Sequence, residues 1–270
     1  MALSASYRMI LHRMGYYNYQ RGLIYRHLNQ EGGWNTHLRN CRNFILKSID
    51  SLRPAVVTVL GSGWLLDLPL KELAEKVHLI NLVDIVHPPE VKSQACEIEN
   101  VVLIEEDVTG GLISEVWDRA GRRTILNKLR TLDGIKIPEY TPAFDPGMII
   151  SLNLITQLET QPVALLRKKA SVPEESFLNF RKEIQQKHIS FLKKHKFVLI
   201  TDLSEVVTAN SGSVNEILSV LIDLPEGGLK EEWTWNFDLR NSDYYRKKSV
   251  LRVAAILFDN ESGENQKNIL

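Results

Sequence analysis

The sequence predicts an α/β fold: a mostly parallel seven-stranded sheet ending in an antiparallel strand pair, layered between helices, with an N-terminal helical extension. Three observations carry this. Apolar and β-branched runs alternate with stretches of helical spacing from residue 54 to about 207, and such alternation builds parallel sheets with right-handed crossovers. The last two strand-like runs, 231–239 and 250–258, are joined by only residues 240–249, too few for a helical crossover, so neighbours must pair antiparallel. The first fifty residues carry helical spacing and no strand pattern.

In order along the chain, Leu38, Cys41, Ile45 and Ile49 recur at three or four residues, one face of a helix. Pro54 ends that region. "VVTVL" (56–60) is apolar without alternation, as expected of a strand covered on both faces. After Gly-Ser-Gly, "PLKELAEKV" places Pro at a helix start and Leu70, Leu73 and Val77 on one side. "HLINLVDIV" (78–86) is the second strand, Pro88 and Pro89 open a short helix through Glu97, and "NVVLIEEDV" (100–108) is the third strand. Between Thr109 and Pro146 the pattern weakens to a helix holding "RRTILNKLR" and a Pro-rich loop. "GMIISLNLI" (147–155) is the fourth strand, Phe177, Phe180, Ile184, His188 and Phe191 mark a long helix, and "KFVLITDLSEVV" (196–207) is the fifth strand. "SVNEILSVLIDLP" (213–225) reads as a further helix. The expected organisation is a helical extension over 1–53, a main domain over 54–259 and a loose tail over 260–270.

The chain has 270 residues, 44% hydrophobic and 24% charged, as in ordinary globular proteins. Thirty-three basic residues balance 33 acidic ones, which removes the whole-chain argument for a protein that coats nucleic acid. Cys41 and Cys96 have no CxxC spacing, so no metal site is expected, and both thiols read as buried in a reducing compartment. No apolar run approaches the ~20 residues of a membrane span. Residues 1–30 hold four arginines and no acid, a bias shared with transit peptides. The segment is rich in Tyr and runs into further helical pattern, so a folded basic element and a cytoplasmic location are expected.

The sharpest local feature is "VLGSGWLLD" (59–67). A glycine turn between a strand and a helix is expected to present bare backbone N–H groups where a polar or negative ligand group is favoured. Asp84 ends the second strand about twenty residues later, where a carboxylate can accept both hydrogens of a ribose diol. Asp107 ends the third strand and can reach an adenine amino group. Each acid could instead cap the following segment.

With these residues in place, "VVTVLGSGWLLDLPL", "HLINLVDIV", "VVLIEEDVTG", "GMIISLNLI" and the closing strand pair resemble the class I S-adenosylmethionine-dependent methyltransferases, over about residues 54–258. The resemblance implies a three-layer Rossmann-like sandwich with S-adenosylmethionine as cofactor. It gives Gly61, Ser62 and Gly63 to the methionine part, Asp84 and Ile85 to the ribose, and Asp107 and Val108 to the adenine. Asn153 would lie at the border between cofactor and substrate. Two positions depart from the family pattern: Leu65 stands where a third glycine is common, and Val59 where an acid is common. The bulk of Trp64 and Leu65 is expected to narrow the pocket.

Two rival readings follow from the same residues. A nicotinamide-dependent oxidoreductase also follows its glycines with a ribose-binding acid, but would need Gly or Ala at Leu66. A methyltransferase-like protein that binds without turnover is suggested by Leu65 and by the lack of an evident base. Phosphate-loop nucleotidases are excluded because no GxxxxGK(S/T) occurs.

Methyl transfer needs alignment and exclusion of water, with a base only if the acceptor must lose a proton. His87, His37 and Asp67 are the candidate bases, although a lone His is more often structural. "SLNL" around Asn153 is not the Asp/Asn-Pro-Pro-aromatic motif of methyltransferases acting on exocyclic or amide nitrogens. The acceptor is therefore left open: a small molecule, or another protein or RNA position. Aromatic residues in "GYYNYQRG", at Trp34, and in "WTWNF" and "YYRKK" could stack a planar acceptor. Packing is the ordinary use of Tyr16, Tyr17, Tyr19, Trp233 and Trp235. "RRTILNKLR" reads as a solvated face rather than an RNA groove.

Overall fold

The apolar runs form the strands, and the strands alternate with helices. The computed structural model of the chain describes residues 3–124, 126–209, 212–226, 228–239 and 248–259. Three helices come first: α1 (Ala5–Met14), α2 (Tyr16–Asn29) and α3 (Asn35–Leu52). There follow β1 (Val56–Leu60), α4 (Leu70–Ala74), β2 (Leu79–Asp84), α5 (Pro89–Cys96), β3 (Val101–Glu105) and α6 (Leu112–Val116), which runs into a π-turn at Trp117–Gly121. The second half holds β4 (Met148–Leu152), α7 (Thr160–Lys169), α8 (Glu174–Leu192), β5 (Phe197–Thr208), β6 (Val214–Leu218), β7 (Leu229–Asp238) and β8 (Lys248–Phe258).

These strands make one sheet in the order β3-β2-β1-β4-β5-β8-β7, with β6 attached to the far half of β5. β1 to β5 pair parallel, and β8 pairs antiparallel with both β5 and β7. The chain builds outward from β1 to β3 and then returns to lay β4 on the other side of β1. In open α/β sheets that reversal leaves a crevice beyond the carboxyl ends of the strands.

The absence of hydrophobic alternation in the central strands has its reason here, since both faces are covered. Val57, Val59, Met148, Ile150, Val198 and Ile200 enter the core beneath α3, α4 and α5. Their neighbours Leu60, Ile149, Phe197 and Leu199 enter the opposite core, against α6, α7 and α8. Each fully buried aliphatic side chain contributes on the order of 1.5–3 kcal/mol. Gly147, leading into β4, has φ +59, and a Cβ there would stand 2.8 Å from Val56 Cβ and closer still to Val56 O. Gly147→Ala is therefore expected to cost about 2 kcal/mol or more, read as a lower urea midpoint.

The sequence reading needs correction in four places. Residues 213–225 do not form a helix: Val214–Leu218 is an eighth strand, antiparallel to Ser204–Thr208. β5 outruns its parallel partner and leaves a free edge, and all five β6 residues are exposed, so the helical spacing found no core to face. The helix expected at "RRTILNKLR" lies upstream, where Leu112, Ile113, Val116 and Ala120 are buried; Leu126 is 96% exposed, and Leu129 instead bridges to Ala170. Cys41 is buried but Cys96 is exposed. The helix after the glycine turn is only five residues long and begins at Leu70. Residues 244–247 of "YYRKK" and the expected tail lie outside the described residues. No described helix is long and apolar enough to cross a membrane.

Candidate functional site

The ends of β1, β2, β3 and β4 open on one cavity of about 160 Å³. Gly61, Ser62, Gly63, Asp84, Ile85, Asp107, Val108 and Asn153, the residues singled out for a ligand, all line it. Asp84 and Asp107 thus share one hollow. The rest of the lining includes Tyr16, Tyr19 and Gln20 of α2, His37 and Leu38 of α3, Trp235 of β7, and Trp34.

The glycine turn does not present bare N–H groups. Gly61 and Ser62 donate to Val83 O (3.0 and 3.4 Å), and Gly63 donates to Asp84 Oδ2 (2.8 Å). Ile85 N donates to Asp84 Oδ1 (2.7 Å). Val86 N donates to the same oxygen (3.4 Å), so Asp84 fixes the turn and keeps acceptor capacity on Oδ2; burial pushes its carboxyl up, against the pull of the Gly63 N–H. Gly61 has φ +75, and a Cβ there would meet Leu152 O and Leu154 Cβ at 3.2 Å, so glycine lets β1 and β4 close on each other.

The departures from the family pattern resolve locally. Leu65 keeps the left-handed backbone of a glycine, φ 59, at a cost on the order of 1–2 kcal/mol. Its side chain is buried in the core beneath α3 and α4, not in the cavity. Trp64 does line the cavity, but its Nε1 donates to Gln20 O (2.9 Å), which ties it to α2 and leaves the hollow open.

Asp107 is held by groups both near and distant in sequence. Thr109 N and Oγ1 donate to Oδ1 (2.9 and 2.6 Å), and Tyr7 of α1, a hundred residues away, donates to Oδ2 (2.7 Å). Burial and the neighbouring carboxylate push the Tyr7 hydroxyl pKa up, so it remains a donor. Sequence reasoning missed Tyr7, because nothing local marks a partner that far along the chain.

The candidate bases separate. His87 is buried, donates Nε2–H to Ile104 O (3.2 Å) and does not reach the cavity. His37 and Asp67 do line it. His37 is stacked on Trp235 (3.7 Å between centroids, 4° between planes), and Trp34 meets Trp235 edge-on. Burial holds the His37 pKa down at about 3, so the ring is neutral. Trp233 Nε1 donates to His37 Nδ1 (3.1 Å), and an indole can only donate. The imidazole hydrogen is therefore on Nε2, facing Cys41 Sγ at 3.5 Å.

Asp67 accepts from Asn153 Nδ2 (2.8 Å), and burial pushes its carboxyl up. Asn153 itself sits in the left-handed region, φ 48, which Asn tolerates well. His37, Cys41 and Asp67 bring donor atoms within 4.8 Å of one another, a grouping the sequence reading, with no metal site, did not foresee. With His37 Nδ1 accepting from Trp233, its Nε2 carries the hydrogen, and binding a metal there would require that hydrogen to leave.

Two features describe what the cavity can take. Among the described lining residues are three acids, Asp67, Asp84 and Asp107, and no Lys or Arg. Among the described residues, four of the six buried side-chain polar atoms without a partner, Tyr16 Oη, Ser62 Oγ, Asn153 Oδ1 and Trp235 Nε1, belong to residues lining it. Buried polar atoms are normally hydrogen-bonded, so these four keep hydrogen-bonding capacity unused within the protein. Of the aromatic residues considered for stacking, Tyr16, Tyr19, Trp34 and Trp235 line the cavity; Trp233 orients His37, and Tyr17 packs in the core.

No family model matches the chain, and no curated protein is similar to it in sequence. Among solved structures, it is similar to the Burkholderia thailandensis 1,6-didemethyltoxoflavin-N1-methyltransferase with bound 1,6-didemethyltoxoflavin and S-adenosylhomocysteine. That likeness has 12% identity over 96% of this chain and 92% of that one, with a TM-score of 0.39. Others are the DhpI complex with S-adenosylhomocysteine (10% identity, 88% and 96% coverage, TM-score 0.29) and the glycopeptide N-methyltransferase MtfA with S-adenosylhomocysteine (10%, 84% and 74%, TM-score 0.28). The strand order, not these distant likenesses, carries the assignment: the fold is the three-layer Rossmann-like sandwich that the sequence resemblance implied, with one strand more.

Proposed function

We propose that the chain binds S-adenosylmethionine in this cavity and transfers its methyl group to an acceptor. One observation carries the choice of cofactor. The N–H groups of Gly61, Ser62 and Gly63 are already committed to Val83 O and Asp84, and the lining holds three acids without a cation. A dinucleotide needs free N–H groups for its pyrophosphate and would set negative charge against Asp84. A sulfonium and an ammonium suit an acidic, aromatic hollow, by direct charge attraction and by the faces of the aromatic rings.

In this reading Gly61, Ser62 and Gly63 face the methionine part, Asp84 and Ile85 the ribose, Asp107 and Val108 the adenine, and Asn153 the transferred methyl. Residues 1–53 cover the site and 54–259 supply the sheet. The unpartnered Ser62 Oγ and Asn153 Oδ1 fit such a ligand. Leu65, one of the two motives for a protein without turnover, lies outside the cavity and gives that reading no support. The cofactor supplies an electrophilic methyl group; the chain's own residues orient the acceptor and keep water out. Calorimetric titration is expected to show heat with S-adenosylmethionine and S-adenosylhomocysteine and none with NAD. The reverse pattern would overturn the proposal.

A further inference from the structure

Past the glycine turn, the cavity continues to Asp67, Asn153, His37 and Trp235. We propose that Asp67 accepts a proton from the methyl acceptor, and that the acceptor is an uncharged planar ring bearing an acidic N–H or O–H. The proposal rests on the reading of the cavity as an S-adenosylmethionine site.

Position comes first. Asn153 follows β4, beside the residues that close on Gly61, and it holds Asp67 Oδ2 at 2.8 Å. The carboxylate is thus locked in orientation by Asn153 and by its own backbone N–H, one hydrogen bond from the cofactor side, and keeps lone pairs for an acceptor. The charged and titratable groups around it are His37, Cys41 and Arg42 of α3. Arg42 turns its guanidinium to Leu66 O. His37 has its Nδ1 taken by Trp233 and stays neutral, and the Cys41 thiol is pushed up by burial. Of the three groups in the cluster, the His37 ring is a weak base and the Cys41 thiol holds its proton, which leaves the Asp67 carboxylate, made more basic by burial, as the proton acceptor.

The acceptor class follows from the walls. Tyr16, Tyr19, Trp34, Trp64 and Trp235 make the lining strongly aromatic, with His37 already covering one face of Trp235 and Phe237 stacked on Trp34. A phosphate or carboxylate on the acceptor would meet acids and no cation. The unpartnered Trp235 Nε1 and Asn153 Oδ1 match a ring edge that carries a carbonyl or hydroxyl oxygen beside an N–H or O–H. In the transfer, a lone pair of the ring nitrogen or oxygen forms a bond to the methyl carbon as the carbon–sulfur bond breaks, leaving its electron pair on sulfur. The ring hydrogen leaves as a proton to the free oxygen of Asp67.

The test uses 7-hydroxycoumarin, a planar uncharged phenol whose neutral and ionised forms absorb at different wavelengths, and 7-methoxycoumarin, which lacks the acidic hydrogen. With the full chain saturated by S-adenosylhomocysteine, the hydroxy compound is expected to bind roughly tenfold tighter. Its bound form should ionise at higher pH than in water, because the Asp67 carboxylate repels the phenolate. In Asp67→Asn, the preference should disappear and the ionisation return toward its value in water, while S-adenosylhomocysteine still binds, only severalfold more weakly for the loss of one of three cavity charges. The urea midpoint of the variant should be equal or higher, since a buried carboxylate is removed. Binding of S-adenosylhomocysteine with neither coumarin bound, or an unchanged preference in Asp67→Asn, overturns this proposal alone. Failure of the wild-type chain to bind S-adenosylhomocysteine overturns the cofactor reading and this proposal with it.

Discussion

Replacing Asp84 by alanine is expected to weaken S-adenosylmethionine binding by about 2 kcal/mol, roughly thirtyfold. Two losses combine. The ribose diol loses a charged acceptor, and the Gly63 N–H, now held at 2.8 Å by Oδ2, is left without its partner, so the turn loosens. Asp84→Asn separates them. Its amide oxygen can keep the Gly63 bond at the expense of those from Ile85 and Val86, so the turn should hold better than in the alanine variant, while the missing charge still weakens the ribose contact. Calorimetry on the three proteins checks the order wild type, Asn, Ala. An alanine variant with wild-type affinity and an unaltered thermal midpoint would remove Asp84 from the site.

Acidification from pH 7 to pH 5 is expected to cost about 2 kcal/mol of folding stability for each of His37 and His188. Burial holds their pKa values down at about 3 and about 4. His188 lies beneath the sheet, bonded to Ser151 Oγ at 2.8 Å, and His37 lies between Trp235 and Cys41. The unfolded chain takes up protons at about pH 6.5, whereas the folded chain refuses them until about pH 3–4. Stability is therefore fully present above about 6.5 and falls as the pH drops below it. Buried carboxyls with raised pKa values, Asp67 and Asp84 among them, act in the opposite sense, so the contribution must be isolated by comparison. Urea unfolding of wild type and His37→Gln at pH 7 and pH 5 does this: the variant should lose about 2 kcal/mol less between the two conditions. Equal losses would show that His37 protonates freely in the folded protein.

Much of the architecture was legible because the central strands obey a simple rule. A strand covered on both faces must be mostly apolar, with any buried polar side chain hydrogen-bonded, and "VVTVL", "HLINLVDIV" and "GMIISLNLI" read so: Thr58, Asn81 and Ser151 are buried and bonded. The helix through Phe177, Phe180, Ile184, His188 and Phe191 was legible because one of its faces meets a core, and all five are buried. The same spacing misled at 213–225, where Val214, Ile217 and Leu218 are exposed on an edge strand. Periodicity reports a pattern, and only a neighbouring surface decides whether it is buried.

The ligand side divides in the same way. By itself the sequence determined the strand-turn-acid order that brings Gly61, Asp84 and Asp107 to neighbouring strand ends, because parallel strands with right-handed crossovers place their carboxyl ends together. Tertiary structure alone decided that the N–H groups of the turn are occupied, that Tyr7 reaches Asp107, that His87 faces away, and that His37, Cys41, Asp67 and Asn153 meet. Those contacts join residues up to a hundred positions apart, and a hydrogen bond depends on distance in space, which separation along the chain does not encode.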